Sequence, residues 1–179
     1  METWTSQSPH RPLHWYVGQE LLWLTAATLR HVSYLDTEER RDYFLEEWLA
    51  AAEAWKVEPV AWVVLPNHWH AIVRPENPAT IPRFVARVHG RTAIHLNRLD
   101  GIPGRRVWRQ YWDTVLRTEG DFWSRVNYLW WNPVRHGCCE APEDWRWTNL
   151  RSLLAEPAAD VQVLLEQFPA AGWLPGDRW

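Results

Sequence analysis

A chain of 179 residues with 46% hydrophobic and 23% charged residues suits one domain with a sizeable core, which excludes a disordered chain and a pair of full domains. A net charge of -3 excludes a uniformly basic surface, and two adjacent cysteines, Cys138 and Cys139, exclude a disulfide framework or a Cys/His finger. The sequence has neither an apolar run of about 18 residues nor a basic, apolar leader, so a cytoplasmic protein without a membrane partner is expected.

Residues 1–19 are aperiodic and read as an arm. Leu21 to Leu29 is a Leu-, Trp- and Thr-rich run that reads as a first strand. Acidic residues after Asp36 open a helix in which Tyr43, Phe44, Trp48, Leu49 and Trp55 recur at helical spacing through about Lys56. Pro59 to Leu65 and His68 to Pro75 are two strands joined by the tight turn at Pro66 and Asn67. Thr80 to Leu99 carries Ile81, Phe84, Val85, Val88, Ile94 and Leu96 between arginines, a second amphipathic helix ended by the loop Asp100 to Gly104. Val107 to Arg117 alternates as a fourth strand, and a third helix starts near Glu119. Its end is expected near Asn132, because a proline restricts the residue before it and the next residue is Pro133. The first six elements give an α+β chain with a ferredoxin-like antiparallel sheet, βαββαβ, and the last helix is an addition at its C-terminal side. Beyond Trp147 the pattern weakens to one short helix around Val161, Leu164, Leu165 and Phe168.

Two of these elements carry chemistry. His68 and His70 are two apart on a strand, so both imidazoles project from one face while Trp69 points to the other. Neutral ring nitrogens so placed suit a divalent metal, although a His-x-His pair also arises incidentally. Tyr128 and Asn132 are four apart and share one helical face, which is equally the pattern of a tyrosine at a core edge and an asparagine at a helix end. Arg83, Arg87, Arg91, Arg98, Arg105, Arg106 and Arg109, opposed only by Asp100, read either as a phosphate-contacting patch or as a solvated face. Most of the sixteen tryptophans must be core, with a minority free to stack on unpaired bases; His89, His95 and His136 read as surface or capping residues.

Three blocks together resemble a known family: Trp62 to His70, Val107 to Asp113, and Tyr128 to Gly137 followed by Pro142-Glu143-Asp144-Trp145. The chain is similar over roughly Leu21 to Leu150 to the REP-associated tyrosine transposases, single-tyrosine members of the HUH endonuclease superfamily. The resemblance implies that Tyr128 is the nucleophile and that His68, His70 and Asn132 are ligands of Mg²⁺ or Mn²⁺. It further implies single-stranded or hairpin DNA as partner, cleaved and rejoined through a 5′-phosphotyrosine, with Arg83, Arg87, Arg91, Arg105, Arg106 and Arg109 as DNA contacts. Residues 1–150 would form the transposase domain with its arm, and residues 151–179 a tail without a domain of its own. The acidic net charge and single lysine depart from a typical DNA enzyme. A domesticated, noncatalytic hairpin-binding protein and a hydrolase using water in place of Tyr128 are the competing readings, and monomer and homodimer both stay open.

Overall fold

In the computed structural model residues 20–154, 163 and 165–170 are described, so the expected N-terminal arm lies outside them. The elements are β1 (Leu21–Thr28), α1 (Glu38–Ala54), β2 (Val57–Val64), β3 (His68–Pro75), α2 (Ile81–Leu99), β4 (Trp108–Leu116), α3 (Glu119–Arg135) and the short α4 (Leu150–Leu154). The four strands form one sheet in the order β2-β3-β1-β4, and every neighbouring pair is antiparallel. This is the ferredoxin-like α+β arrangement expected from the element order. All eight residues of β1 are buried, because the strand is central and both of its faces are covered. No described helix is long and apolar enough to cross a membrane.

Register decides what each face carries. Thr25 pairs with His70 and Ala27 with His68 across β1 and β3, while Val63 of β2 pairs with His70 from the other side. Directly paired residues share a face, so one side of the sheet presents the two histidines beside Trp23, Thr25 and Val63. The opposite side presents Trp69, and there α1 and α2 pack. The Trp69 ring lies 6.3 Å from Phe44 and 6.1 Å from Trp48, and Trp48 meets Phe84 of α2 edge-on at 5.4 Å. Helix α3 covers the histidine face, giving three layers with the sheet in the middle.

Helix α3 begins with a capping box. The Thr118 hydroxyl accepts from the Asp121 N–H at 3.0 Å, and the Asp121 carboxylate accepts from the Thr118 N–H at 3.1 Å. Thr118→Ala is expected to cost about 1 kcal/mol of stability, read by chemical denaturation, because one donor of the first turn loses its partner. The helix does not stop at Asn132 as the proline rule suggests; it runs through Pro133 to Arg135. Pro133 sits in the last turn, where its missing N–H forfeits one bond to the Leu129 carbonyl. The turn beyond it closes with bonds from His136 N–H to Asn132 and from Cys138 N–H to Pro133, at 3.1 and 2.8 Å. The extra turn carries Arg135 and His136 onto the histidine layer.

The segment after α3 seals the β2 edge. Asn149 exchanges bonds with Trp62 N–H and the Val60 carbonyl at 2.9 and 3.0 Å, and the Thr148 hydroxyl donates to the Trp62 carbonyl at 2.7 Å. Trp145 and Trp147 hold the buried Arg41 guanidinium, at 5.3 and 3.9 Å from its carbon. The Pro142–Trp145 block thus serves the fold. Of the short helix expected further on, Val163 and residues 165–167 are helical, and Val161 and Leu164 lie outside the described residues. The Leu165 and Phe168 carbonyls accept from the Asn127 amide at 2.8 and 3.1 Å, which docks this piece of tail on α3.

Candidate active site

Strand β3 and helix α3 bring the two halves of the sequence pattern together. His68, His70, Tyr128 and Asn132 are all fully buried, with relative exposures of 0%. His68 Nε2 lies 3.0 Å from Asn132 Oδ1, across 64 residues of sequence. Tyr128 stands edge-on to His70 at 5.6 Å and to Trp23 at 6.0 Å, and Trp23 stacks on His70 at 5.1 Å. The helical spacing of Tyr128 and Asn132 therefore meets the strand spacing of the two histidines. Burial holds the His68 imidazole well below its ordinary range, and pushes His70 down to about 3, with His136 and Arg125 acting in the same direction. Both rings are neutral at physiological pH, the state in which a ring nitrogen can bind a metal.

The donor set fits a divalent cation. His68 Nε2 and Asn132 Oδ1 converge to 3.0 Å in a buried site, and the Asn132 Nδ2 has no hydrogen-bond partner among the described residues. An amide oxygen and imidazole nitrogens form a mixed set acceptable to Mn²⁺ and, through the oxygen, to Mg²⁺. Among the described residues no three His, Cys, Asp or Glu side chains gather into a metal group, so a cation held here would need the Asn132 amide beside the two histidines.

No family model matches the chain. It is 26% identical over 125 residues to a Haemophilus influenzae protein provisionally named a REP-associated tyrosine transposase, over 63% of this chain and 70% of that one. It is 30% identical over 87 residues to an Escherichia coli K12 REP-associated tyrosine transposase, covering 48% of this chain and 49% of the relative. A solved REP-associated tyrosine transposase bound to a REP hairpin superposes with a TM-score of 0.62 at 21% identity, over 87% of this chain and 86% of the other, which shows a shared fold. The chain is thus similar in sequence to REP-associated tyrosine transposases and shares the fold of one.

Set on this transposase fold, the arginines divide. Arg83, Arg87 and Arg91 lie on α2, in the layer on the far side of the sheet from Tyr128. Arg91 is bonded to Glu47 at 2.9 and 3.0 Å, and Arg83 lies 6.0 Å from the Trp55 ring. Arg105 is bonded to Asp100 and Asn97 and covers the Tyr34 ring at 4.2 Å; Arg106 donates to the Trp108 carbonyl. Arg109 lies 5.5 Å over Trp112, whose pairing with Thr25 puts that ring on the histidine face. Trp69 is core at 1% exposure, whereas Trp131 is 43% exposed and remains open to a base.

Arg125 and Arg135 were not singled out in the sequence as site residues, and His136 was read only as a surface or capping residue. Arg125 lies 5.2 Å over Trp23, Arg135 lies 5.2 Å over Tyr128, and His136 meets His68 at 4.6 Å. Their signal is spacing: positions three before, seven after and eight after Tyr128 fall on its face of a helix. His136 caps α3 as expected, but it also touches the histidine pair. His89, expected at the surface or at a cap, is half-buried and packed inward instead, where it accepts from Trp69 Nε1–H at 3.3 Å and stacks on Trp108 at 4.4 Å.

Burial also pushes His89 down to about 3. In the unfolded chain a histidine titrates near 6.5, so below that pH the unfolded state takes up protons that the folded state refuses. The stability contributed by His70 and His89 is full above about pH 6.5 and is lost as pH falls toward 3, by up to ~1.4 kcal/mol per pH unit for each. Urea midpoints measured from pH 7 to pH 4.5 should fall steadily. His89→Gln, which keeps an acceptor for Trp69, should remove about a third of that slope, because His68 shares it.

Proposed function

We propose that this chain cleaves and rejoins single-stranded DNA at repeat hairpins, with Tyr128 as nucleophile and with His68, His70 and Asn132 as ligands of Mg²⁺ or Mn²⁺. The observation that carries this reading is the meeting of α3 with β3: the Tyr128 phenol and the Asn132 amide are laid against the paired histidines in one dry site. A divalent ion at these donors supplies charge neutralisation and polarisation of the scissile phosphate. The Tyr128 oxygen forms the new bond to phosphorus as the bond to the 3′-oxygen breaks. The phenol gives up its proton, the leaving oxygen gains one, and the phosphate stays on the protein as a 5′-phosphotyrosine. Arg135 and Arg125 put fixed positive charge beside the phenol and the histidine pair, where negative charge gathers during that exchange. Because the link keeps the energy of the phosphodiester, a second 3′-hydroxyl can reverse the step and join strands.

The hairpin partner rests on the solved relative, which is bound to a REP hairpin. Residues 1–150 are the catalytic domain in this reading, and residues 151–179 are a tail. Full burial of Tyr128 favours the second reading, a noncatalytic hairpin binder that kept the fold. Incubation with labelled single-stranded hairpin DNA from repeats flanking the gene, with and without Mn²⁺ or Mg²⁺, separates the two on a denaturing gel. A metal-dependent protein–DNA adduct supports the enzyme, and hairpin binding without an adduct supports the binder.

A further inference from the structure

We infer that Asn67 is a positioning residue that fixes which nitrogen of His68 carries the proton, and so presents Nε2 as the donor beside Asn132. The inference rests on the metal-site reading above and adds a residue that reading does not use. Asn67 sits in the β2–β3 turn immediately before His68. Its Nδ2 donates to the His31 carbonyl at 3.0 Å, and its Oδ1 lies 2.6 Å from His68 Nδ1. A carboxamide has one donor side and one acceptor side. With the donor side committed to a carbonyl, which can only accept, the Asn67 oxygen faces His68 Nδ1 at 2.6 Å, closer than the 3.0 Å between Nε2 and the Asn132 oxygen, so Nδ1 is the nitrogen that the stronger acceptor contact selects for the single ring proton. A metal-binding imidazole is neutral and holds a single proton. That proton lies on Nδ1, and Nε2 points its lone pair at the space it shares with Asn132 Oδ1, 3.0 Å away.

The neighbourhood keeps Asn67 in this orientation. Its own carbonyl accepts from Thr28 N–H at 2.8 Å, and the Pro66 carbonyl accepts from Leu35 N–H at 2.8 Å, so the turn is tied to both ends of the loop that follows β1. That loop passes through two consecutive left-handed residues, Arg30 and His31, with φ of 57° and 55°. Non-glycine residues rarely adopt this conformation, and here it accompanies the His31 carbonyl that takes the Asn67 hydrogen bond. Asparagine is also a common turn former for its own sake. A turn role alone would leave the proton on His68 unaffected, and that distinction makes the inference testable.

The test is nitrogen NMR of the His68 ring in metal-free, ¹⁵N-histidine-labelled full chain, followed by Mn²⁺ titration monitored by electron paramagnetic resonance. Wild type should show the Nδ1–H form. Asn67→Ala should move the proton to Nε2, wholly or in part, and weaken Mn²⁺ binding by about 10- to 100-fold. Asn67→Asp keeps the acceptor and should retain both the Nδ1–H form and most of the affinity. An Nε2–H form in wild type overturns the inference without any variant, and so does an Asn67→Ala protein whose His68 proton and Mn²⁺ affinity match wild type. His68→Ala calibrates the loss of a ligand. A tautomer that follows residue 67 supports the inference even if wild type takes up no Mn²⁺, an outcome that would instead remove the metal reading.

Discussion

Tyr128→Phe is expected to abolish the covalent protein–DNA adduct and to lower strand cleavage by more than about 10³-fold, because it removes only the oxygen proposed to attack phosphorus. The aromatic ring stays, edge-on to Trp23 and His70, so the core of the site keeps its packing. Hairpin affinity in a mobility-shift assay should therefore remain within a few-fold of wild type, and the melting temperature within a few degrees. Cleavage that persists in the variant without an adduct would mean that water attacks phosphorus and that the protein is a hydrolase. Unchanged behaviour in both proteins, with binding and no cleavage, would leave the hairpin binder.

The second large effect concerns the opposite face of the same strand. Trp69→Ala should lose about 3–5 kcal/mol of stability, measured by chemical denaturation, since a large buried side chain is removed from a close-packed layer. The ring is 1% exposed among Phe44, Trp48 and His89, and its N–H is bonded to His89. The cavity would open directly beneath His68 and His70, so metal-dependent activity should fall with stability. Trp131→Ala is the control: at 43% exposure it should change stability by no more than about 0.5 kcal/mol. A loss of single-stranded DNA affinity in that variant would identify Trp131 as a base-stacking surface.

Much of the site was legible in the order of residues because the relevant periods are local. A strand alternates every two residues, so His68 and His70 had to share a face and Trp69 had to leave it; a helix repeats near 3.6, so Tyr128 and Asn132 had to share theirs. The same periods delivered the element order and with it the sheet. Where a local rule competed with packing, packing won: Pro133 was expected to end α3, yet the helix continues one turn, its end held by bonds beyond the proline.

By itself, then, the sequence determined which residues face together within each element and which block resembles a transposase. Only the tertiary structure decided how those faces meet. It set α3 on the histidine side of the sheet and α2 on the other, which separated Arg83, Arg87 and Arg91 from the tyrosine and brought Arg125 to Trp23 and His136 to His68. It turned His89 inward against Trp69, and it tied Asn67 to a carbonyl 36 residues away. These pairings join residues far apart in the chain, and they are decided by the burial of whole faces and by strand register, which no local spacing encodes.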